Sequence, residues 1–235
     1  MKILGLTLLL LVTPFLSYAQ NQAVRLPDFP ESRYQGGAEA FYEYLGQNLK
    51  YPSQARGNGR VGTAIVTFTI LPEGDFTNFK IVNPLGKGID ENIRDVFSEI
   101  ENKWLPEANA LPASIYLPIT YTINRKTFLR LPPSEDKFIS EIVVNAMGSS
   151  RSQKHSREQL IERVYKFIEK KKHKKALRYA DELIRRDPLN KQWYVVRSSI
   201  YKEMGETESV CSELTKIRDF LEYPVADKLL QQYCR

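Results

Sequence analysis

The chain has 235 residues, of which 34 are Lys or Arg and 28 are Asp or Glu, and its hydrophobic fraction of 42% is ordinary. This length is enough for two small domains, because a domain commonly holds about 100 residues or a little more. The modest positive excess favours anionic surfaces or acidic partners, and we expect no nucleic-acid partner if the N-terminal residues direct export.

Residues 1–19 are predicted to be a secretory signal peptide. Lys2 supplies the positive end, and an apolar run follows it up to Phe15. The small residues Ser17 and Ala19 predict cleavage after Ala19 and a periplasmic mature chain. An uncleaved inner-membrane anchor is the alternative, because the apolar stretch approaches the roughly 17 residues that can span a bilayer.

The next segment, residues 20–33, is polar and contains two prolines, and we interpret it as an extended lead-in. The first domain is predicted to span residues 34–125. Its first helix follows from apolar residues at spacings of three and four between Ala38 and Leu49, and it ends before Tyr51 and Pro52.

Two strands are predicted after this helix. From Thr63 to Ile70, side chains alternate with the period of a strand rich in β-branched residues. A turn at Pro72 to Asp75 leads into a second strand from Phe76 to Val82, so the two should form a hairpin.

A second helix and a third strand complete the predicted domain. Apolar residues from Ile89 to Ile100 have a helical period, and alternation returns from Ile115 to Asn124. The order helix, strand, strand, helix, strand predicts an α+β domain with a three-stranded antiparallel sheet that buries one face under two helices. Pro118 cannot donate a ladder hydrogen bond, so the third strand is expected at a sheet edge.

Residues 34 to 124 carry a combination of motifs: a Tyr-Pro pair, glycines before the first strand, a Pro-Leu-Gly turn and a Trp-x-Pro segment. This stretch resembles the TonB C-terminal domain family in its Bacteroidetes-type form. The residues that carry the resemblance include Tyr51, Pro52, Gly62, Gly74, Pro84, Gly86, Trp104 and Pro106. The pair Tyr34-Gln35 departs from the Phe-Pro that relatives often carry before the glycine pair.

Residues 126–156 have the Pro, Gly and Ser composition of a linker, in which Phe138 to Met147 could form one or two helical turns. After this linker, residues 157–235 repeat with a period of 34, as in the aligned pairs Leu160 with Tyr194 and Ala176 with Val210. This is the period of tetratricopeptide repeats. We expect two helical hairpins, at 157–186 and 191–221, and a capping helix at 225–234.

Cys211 and Cys234 are the only cysteines. Their midpoint falls at the predicted turn before Pro224, so two antiparallel helices would bring them to the same height. We predict a structural disulfide that stabilises the domain by roughly 3 kcal/mol. A redox site would need closely spaced activated thiols, which the sequence lacks.

We predict no catalytic residues, no metal site and no cofactor. Only two histidines occur, His155 and His173, and they are too few and too remote for a metal constellation. The glycine turns at 57–59 and 86–88 could cradle a phosphate, but neither leads into a helix with basic and hydroxyl partners. Asp90 and Glu91 lie at a helix start, where the positive end of the helix dipole stabilises carboxylates, so we interpret them as structural.

The strongest charge bias lies between Arg151 and Arg178. It is interpreted as a solvated helix face, or alternatively as a docking patch for an anionic envelope surface. The patch would use Lys170, Lys171, Lys172, Lys174 and Lys175.

The resemblance implies a non-enzymatic adapter that pairs a sheet edge with an extended segment of a TonB-dependent outer-membrane transporter. The expected edge residues are Ile115, Tyr116, Leu117, Ile119, Thr120, Tyr121, Thr122 and Ile123. One alternative is a membrane-anchored energy transducer for siderophore, vitamin or glycan transport, although the spacer between anchor and domain is short. Another is an envelope assembly protein that uses the fold to form a homodimer.

Overall fold

A computed structural model describes residues 30–124, 138–148 and 155–234. The predicted signal peptide and nearly all of the predicted lead-in therefore lie outside the described residues. No helix in the described ranges has the length and apolar character needed to cross a membrane.

The first domain begins with a 3-10 turn at Pro30–Arg33. Its further elements are α1 (Gly37–Asn48), α2 (Ser53–Gly57), β1 (Gly62–Ile70), β2 (Phe76–Ile81), α3 (Ile89–Ser98), β3 (Ala113–Ile123) and β4 (Ile142–Ala146). The predicted helices and the hairpin are present within a few residues of their expected bounds, whereas the short helix α2 was not expected.

The sheet has four strands in the order β2-β1-β3-β4, so the prediction of a three-stranded sheet is wrong. β1 pairs antiparallel with both β2 and β3. β4 pairs parallel with β3, with Ile119 opposite Ile142 and Ile123 opposite Ala146. The fourth strand therefore lies in the segment that was expected to be a linker.

The expectation of helical turns in Phe138 to Met147 is also wrong. Ile142, Val143 and Val144 are β-branched in succession, which favours an extended backbone beside an existing strand. Ile142 and Ala146 are buried while Val143 is 49% exposed, so the segment has the period of a strand.

One face of the sheet packs against α1 and α3. Val66 and Phe68 of β1 meet Phe41 of α1 and Phe97 of α3 in one fully buried cluster. Trp104 lies among these rings, with its centroid 5.5 Å from Phe41 and 5.7 Å from Phe68. This is the core that the helical and strand periods predicted.

The helical domain contains α4 (Arg157–Glu169), α5 (His173–Arg186), α6 (Lys191–Glu203), α7 (Thr207–Asp219) and α8 (Val225–Tyr233). Each helix packs on the next along the chain. The capping box at Ser156 and Gln159 fixes the start of α4. The helices lie at the positions expected for two hairpins and a cap.

The second face of the sheet lies against this helical domain. α5 contacts β1, and the Cα of Gly62 approaches the backbone of α5 so closely that an added Cβ would lie 2.6 Å from the carbonyl oxygen of Arg185. At the other end of the sheet, the Phe220 ring lies 5.5 Å from the Tyr116 ring. β1 is consequently buried on both faces, with Ile65 and Thr63 enclosed as completely as Val66.

Candidate interaction site

The strand predicted to form the exposed edge, β3, is an inner strand. It has β1 on one side and β4 on the other, so the expectation that it lies at a sheet edge is wrong. Seven of the eight predicted contact residues are buried, and the eighth, Tyr116, is half-buried. Their side chains pack in the core and in the domain interface. An incoming strand could therefore pair only with the backbone of β3 on the side that β4 occupies.

An irregularity in the register of the partner strand explains how the inner strand β3 tolerates Pro118. The amide of Ile139 donates to the carbonyl of Tyr116 (3.0 Å), so Tyr116 and Pro118, two residues apart, both point their backbone groups toward the β4 side. Tyr116 lies opposite Phe138 and Ile119 opposite Ile142, an offset that grows from 22 to 23 residues. The partner strand thus has one extra residue opposite Pro118, where a donor is missing.

Buried hydroxyl groups link β1, β3 and the residues before β4 on the second face of the sheet. The Thr63 and Thr120 hydroxyls are 2.6 Å apart, and Thr120 also donates to the carboxylate of Glu141. These bonds satisfy groups that are almost fully enclosed. They also fasten the start of β4 to the sheet.

Tyr51 and Tyr121 meet edge-to-face on the first face, with ring centroids 5.4 Å apart. The Tyr51 hydroxyl donates to the carbonyl of Arg60, whereas the Tyr121 hydroxyl is buried with no hydrogen-bond partner among the described residues. Burial raises the pKa of Tyr51 to about 12. The pKa of Tyr121 is raised as well, first by burial and then by the charge of Asp90.

The residues that carry the family resemblance hold turns and core contacts. Gly74 has a φ of 98°, and an added Cβ would lie 2.8 Å from the carbonyl oxygen of Trp104. The turn between β1 and β2 therefore packs directly on the Trp-x-Pro segment, which explains why a glycine and this segment occur together. Arg33 joins the same contact, donating to the carbonyl oxygens of Leu71 (2.7 Å) and Leu105 (3.0 Å).

Asp90 has a structural role at the start of α3. Its buried carboxylate accepts from the amides of Leu85 (2.8 Å) and Gly86 (2.9 Å), so it fixes the Pro-Leu-Gly turn. Pro52 contacts the position where a Cβ on Gly88 would lie, at 3.3 Å. The Tyr-Pro and glycine motifs thus support each other.

The five lysines of the proposed anionic docking patch are all exposed. Lys170, Lys171 and Lys172 form the bend between α4 and α5, and Lys174 and Lys175 begin α5. Lys175 places its ammonium 5.7 Å from the Phe167 ring. The geometry is that of a charged rim on the helical domain, and its use as a docking patch stays a prediction.

The disulfide between Cys211 and Cys234 is present, with the two Cα atoms 5.6 Å apart. It joins α7 to the end of α8, as the antiparallel arrangement of these helices required. No group of His, Cys, Asp or Glu in the described part of the chain could hold a metal ion.

The fold defines an α+β sheet domain docked against a helical domain. Residues 47–123 match the family model described as Gram-negative bacterial TonB protein C-terminal. The match covers α2, β1, β2, α3 and β3 together with the end of α1, and leaves out β4 and the helical domain. No curated protein and no solved structure matches the chain.

Proposed function

We propose that this chain is a non-enzymatic adapter of the cell envelope, exported to the periplasm, whose TonB-type domain binds an extended segment of an outer-membrane transporter. The observation that carries this proposal is the match of residues 47–123 to the TonB C-terminal family. The helical domain, whose equivalent helices α4 and α6 begin 34 residues apart (157 and 191), would be a tetratricopeptide-type scaffold that supports it.

The extended partner segment would take the place of β4 beside β3. β4 is only five residues long and is held by a parallel ladder, which is slightly less stable per residue than an antiparallel one. Its ladder is irregular at the start, opposite Pro118. A partner strand in this position would gain the same main-chain bonds to Ile119 through Ile123.

Two variants separate this exchange from the alternatives. The carbonyl of Ala146 accepts from the amide of Asn124 (2.9 Å), so the backbone groups of Val144, two residues earlier, also point at β3. Val144→Pro removes one of these bonds and loosens β4. Cysteines at Ile123 and Ala146, which are opposite each other, would instead lock β4 in place.

The test is the recovery of TonB-dependent transporters from outer-membrane extract on immobilised protein, quantified by mass spectrometry. We expect more transporter on Val144→Pro than on the unmodified chain, and little on the oxidised Ile123→Cys/Ala146→Cys variant. Reduction should restore recovery on the locked variant, with the reduced unmodified chain as control for the native disulfide. Equal recovery on locked and unmodified protein would exclude strand exchange, and absence of transporters from every arm would exclude the link to transport.

A further inference from the structure

Two glycine turns that are remote in sequence meet at one cavity between the domains. The turn at Asn58 and Gly59 and the residue Lys87, within the second turn, line a space of about 530 Å³ together with α5. A volume of this size is in the range of small-molecule sites. Each turn brings one basic residue, Arg60 beside the first and Lys87 within the second, and the fold adds further basic residues from α5 of the other domain.

The cavity is strongly cationic. Its lining contains five Lys or Arg and two carboxylates, an excess of three positive charges with His155 neutral. Both carboxylates are already engaged: Asp181 bonds Arg197 outside the lining (2.8 Å), and Glu182 bonds Arg186 (2.8 Å) and Arg185. Neither carboxylate is therefore available to neutralise the remaining cations of the lining.

Three cations of the lining are left without a counter-charge. Within the described ranges, Arg60, Lys87 and Arg178 form no ion pair. They come from three separate places, the approach to β1, the turn before α3 and the exposed side of α5. Cations that converge from different elements can contact different oxygen atoms of one multiply charged anion.

Arg185 is a further, mostly buried cation in the lining of the cavity. Its side chain is 15% exposed, and its Nε is buried with no hydrogen-bond partner among the described residues. Burial lowers the pKa of Arg185, Glu182 opposes this change, and the charge of Arg60 adds to the lowering. An anion between Arg60 and Arg185 would relieve that repulsion.

We propose that this interdomain cavity binds a phosphate group, carried by a soluble phosphate ester or by a lipid headgroup. Guanidinium groups bind the oxygens of phosphate in a bidentate manner, and a tetrahedral dianion can meet donors from both domains at once. Because Arg60 and Lys87 belong to the sheet domain and Arg178 and Arg185 to the helical domain, the bound group would also tighten the contact between them.

Titration calorimetry of the full chain with sodium pyrophosphate, at constant ionic strength, tests the soluble source. Sedimentation with phosphatidylcholine vesicles containing phosphatidic acid tests the lipid source. The key variant is Arg60→Gln/Arg178→Gln, and Arg94→Gln is the matched control, because Arg94 is an exposed arginine of α3 outside the cavity.

We expect saturable binding of at least one probe, weakened about tenfold or more in the double variant and unchanged in Arg94→Gln. Pyrophosphate binding would identify a soluble ligand, and vesicle binding alone a headgroup. The proposal is overturned if neither probe binds saturably, or if the double variant binds as well as the control. Circular dichroism of each variant verifies that the fold is retained, and since transporter recovery is a separate readout, this site can fail without affecting the adapter proposal.

Discussion

Tyr51 and Tyr121 place two hydroxyl groups in one aromatic contact but give them opposite surroundings. Tyr51 bonds a backbone carbonyl, whereas Tyr121 has no partner among the described residues although its side chain is fully buried. A buried hydroxyl without a partner costs free energy, and a satisfied one contributes about 1 kcal/mol. The hydroxyl groups of two tyrosines whose ring centroids are 5.4 Å apart therefore have opposite effects on stability.

Removing each hydroxyl tests this difference. We expect Tyr51→Phe to lower the free energy of unfolding by about 1 kcal/mol, and Tyr121→Phe to raise it by up to about 1 kcal/mol. Both changes delete one oxygen and keep the ring, so each variant is the control for the other in urea titrations at neutral pH. A larger loss for Tyr121→Phe than for Tyr51→Phe would contradict the assignment of partners.

Individual residues of the sequence predicted parts of the fold but not the interdomain cavity. The glycines, Tyr51-Pro52 and Trp104 were predictable as family motifs, and the pairing of Cys211 with Cys234 followed from their spacing. The cavity residues could not be found this way, because Arg60 and Arg185 are 125 positions apart (185 minus 60) and meet only through domain docking. Their only sequence signal was a pair of glycine turns, neither of which leads into a helix with basic and hydroxyl partners.

At the scale of elements, Arg197 ties three helices of the second domain together. From α6 it donates to Asp181 of α5 (2.8 Å) and to Glu213 of α7 (2.6 and 2.9 Å). Burial alone would lower the pKa of Arg197, but Glu213 and Asp181 outweigh it and raise the pKa. Glu213 is itself 4% exposed, so the loss of its partner would leave a buried charge with only Lys216.

We expect Arg197→Leu to lower the free energy of unfolding by about 3 kcal/mol or more, because one partner of a buried pair is removed. The double variant Arg197→Leu/Glu213→Leu should recover most of this loss. Arg218→Leu is the control, since its ion pair with Asp219 is exposed to solvent and should contribute little to stability. Urea denaturation measures the free energy of unfolding of all three variants. If Arg197→Leu were as stable as Arg218→Leu, the network would not stabilise the domain.

Elements were predictable wherever hydrophobic periodicity ran long enough. α1, β1, β2, α3 and the five helices of the second domain all follow from it. β4 did not, because its five residues form a short apolar run that fits a helical turn as well as a strand. Pairing with β3 makes this segment a strand. We expected β3 at a sheet edge because proline lacks a ladder donor, but the extra residue opposite Pro118 removes the need for that donor.

At the scale of the whole molecule, docking depends on the absence of a side chain at Gly62. Gly62→Ala would place a methyl group 2.6 Å from the carbonyl oxygen of Arg185, at a φ of 146°. We expect this change to loosen the interface, to cost about 1–3 kcal/mol and to increase hydrogen exchange in α5. Gly57→Ala is the control, because an added Cβ there meets nothing within 4 Å. Unchanged exchange in α5 would mean that the domains do not depend on this contact.

Because β1 is buried on both faces, the sheet is complete only after the helical domain has formed. When the chain emerges from its N-terminus, at the ribosome or from an export channel, β1 and β3 come first, while α5 and Phe220, which cover their second face, follow later. Until then Ile65 and Tyr116 lack the helical domain that covers them, and incompletely packed intermediates of this kind are prone to aggregate. A chain that ends before α4 would therefore leave the second face of the sheet exposed, which favours self-association until the last third of the chain has packed against it.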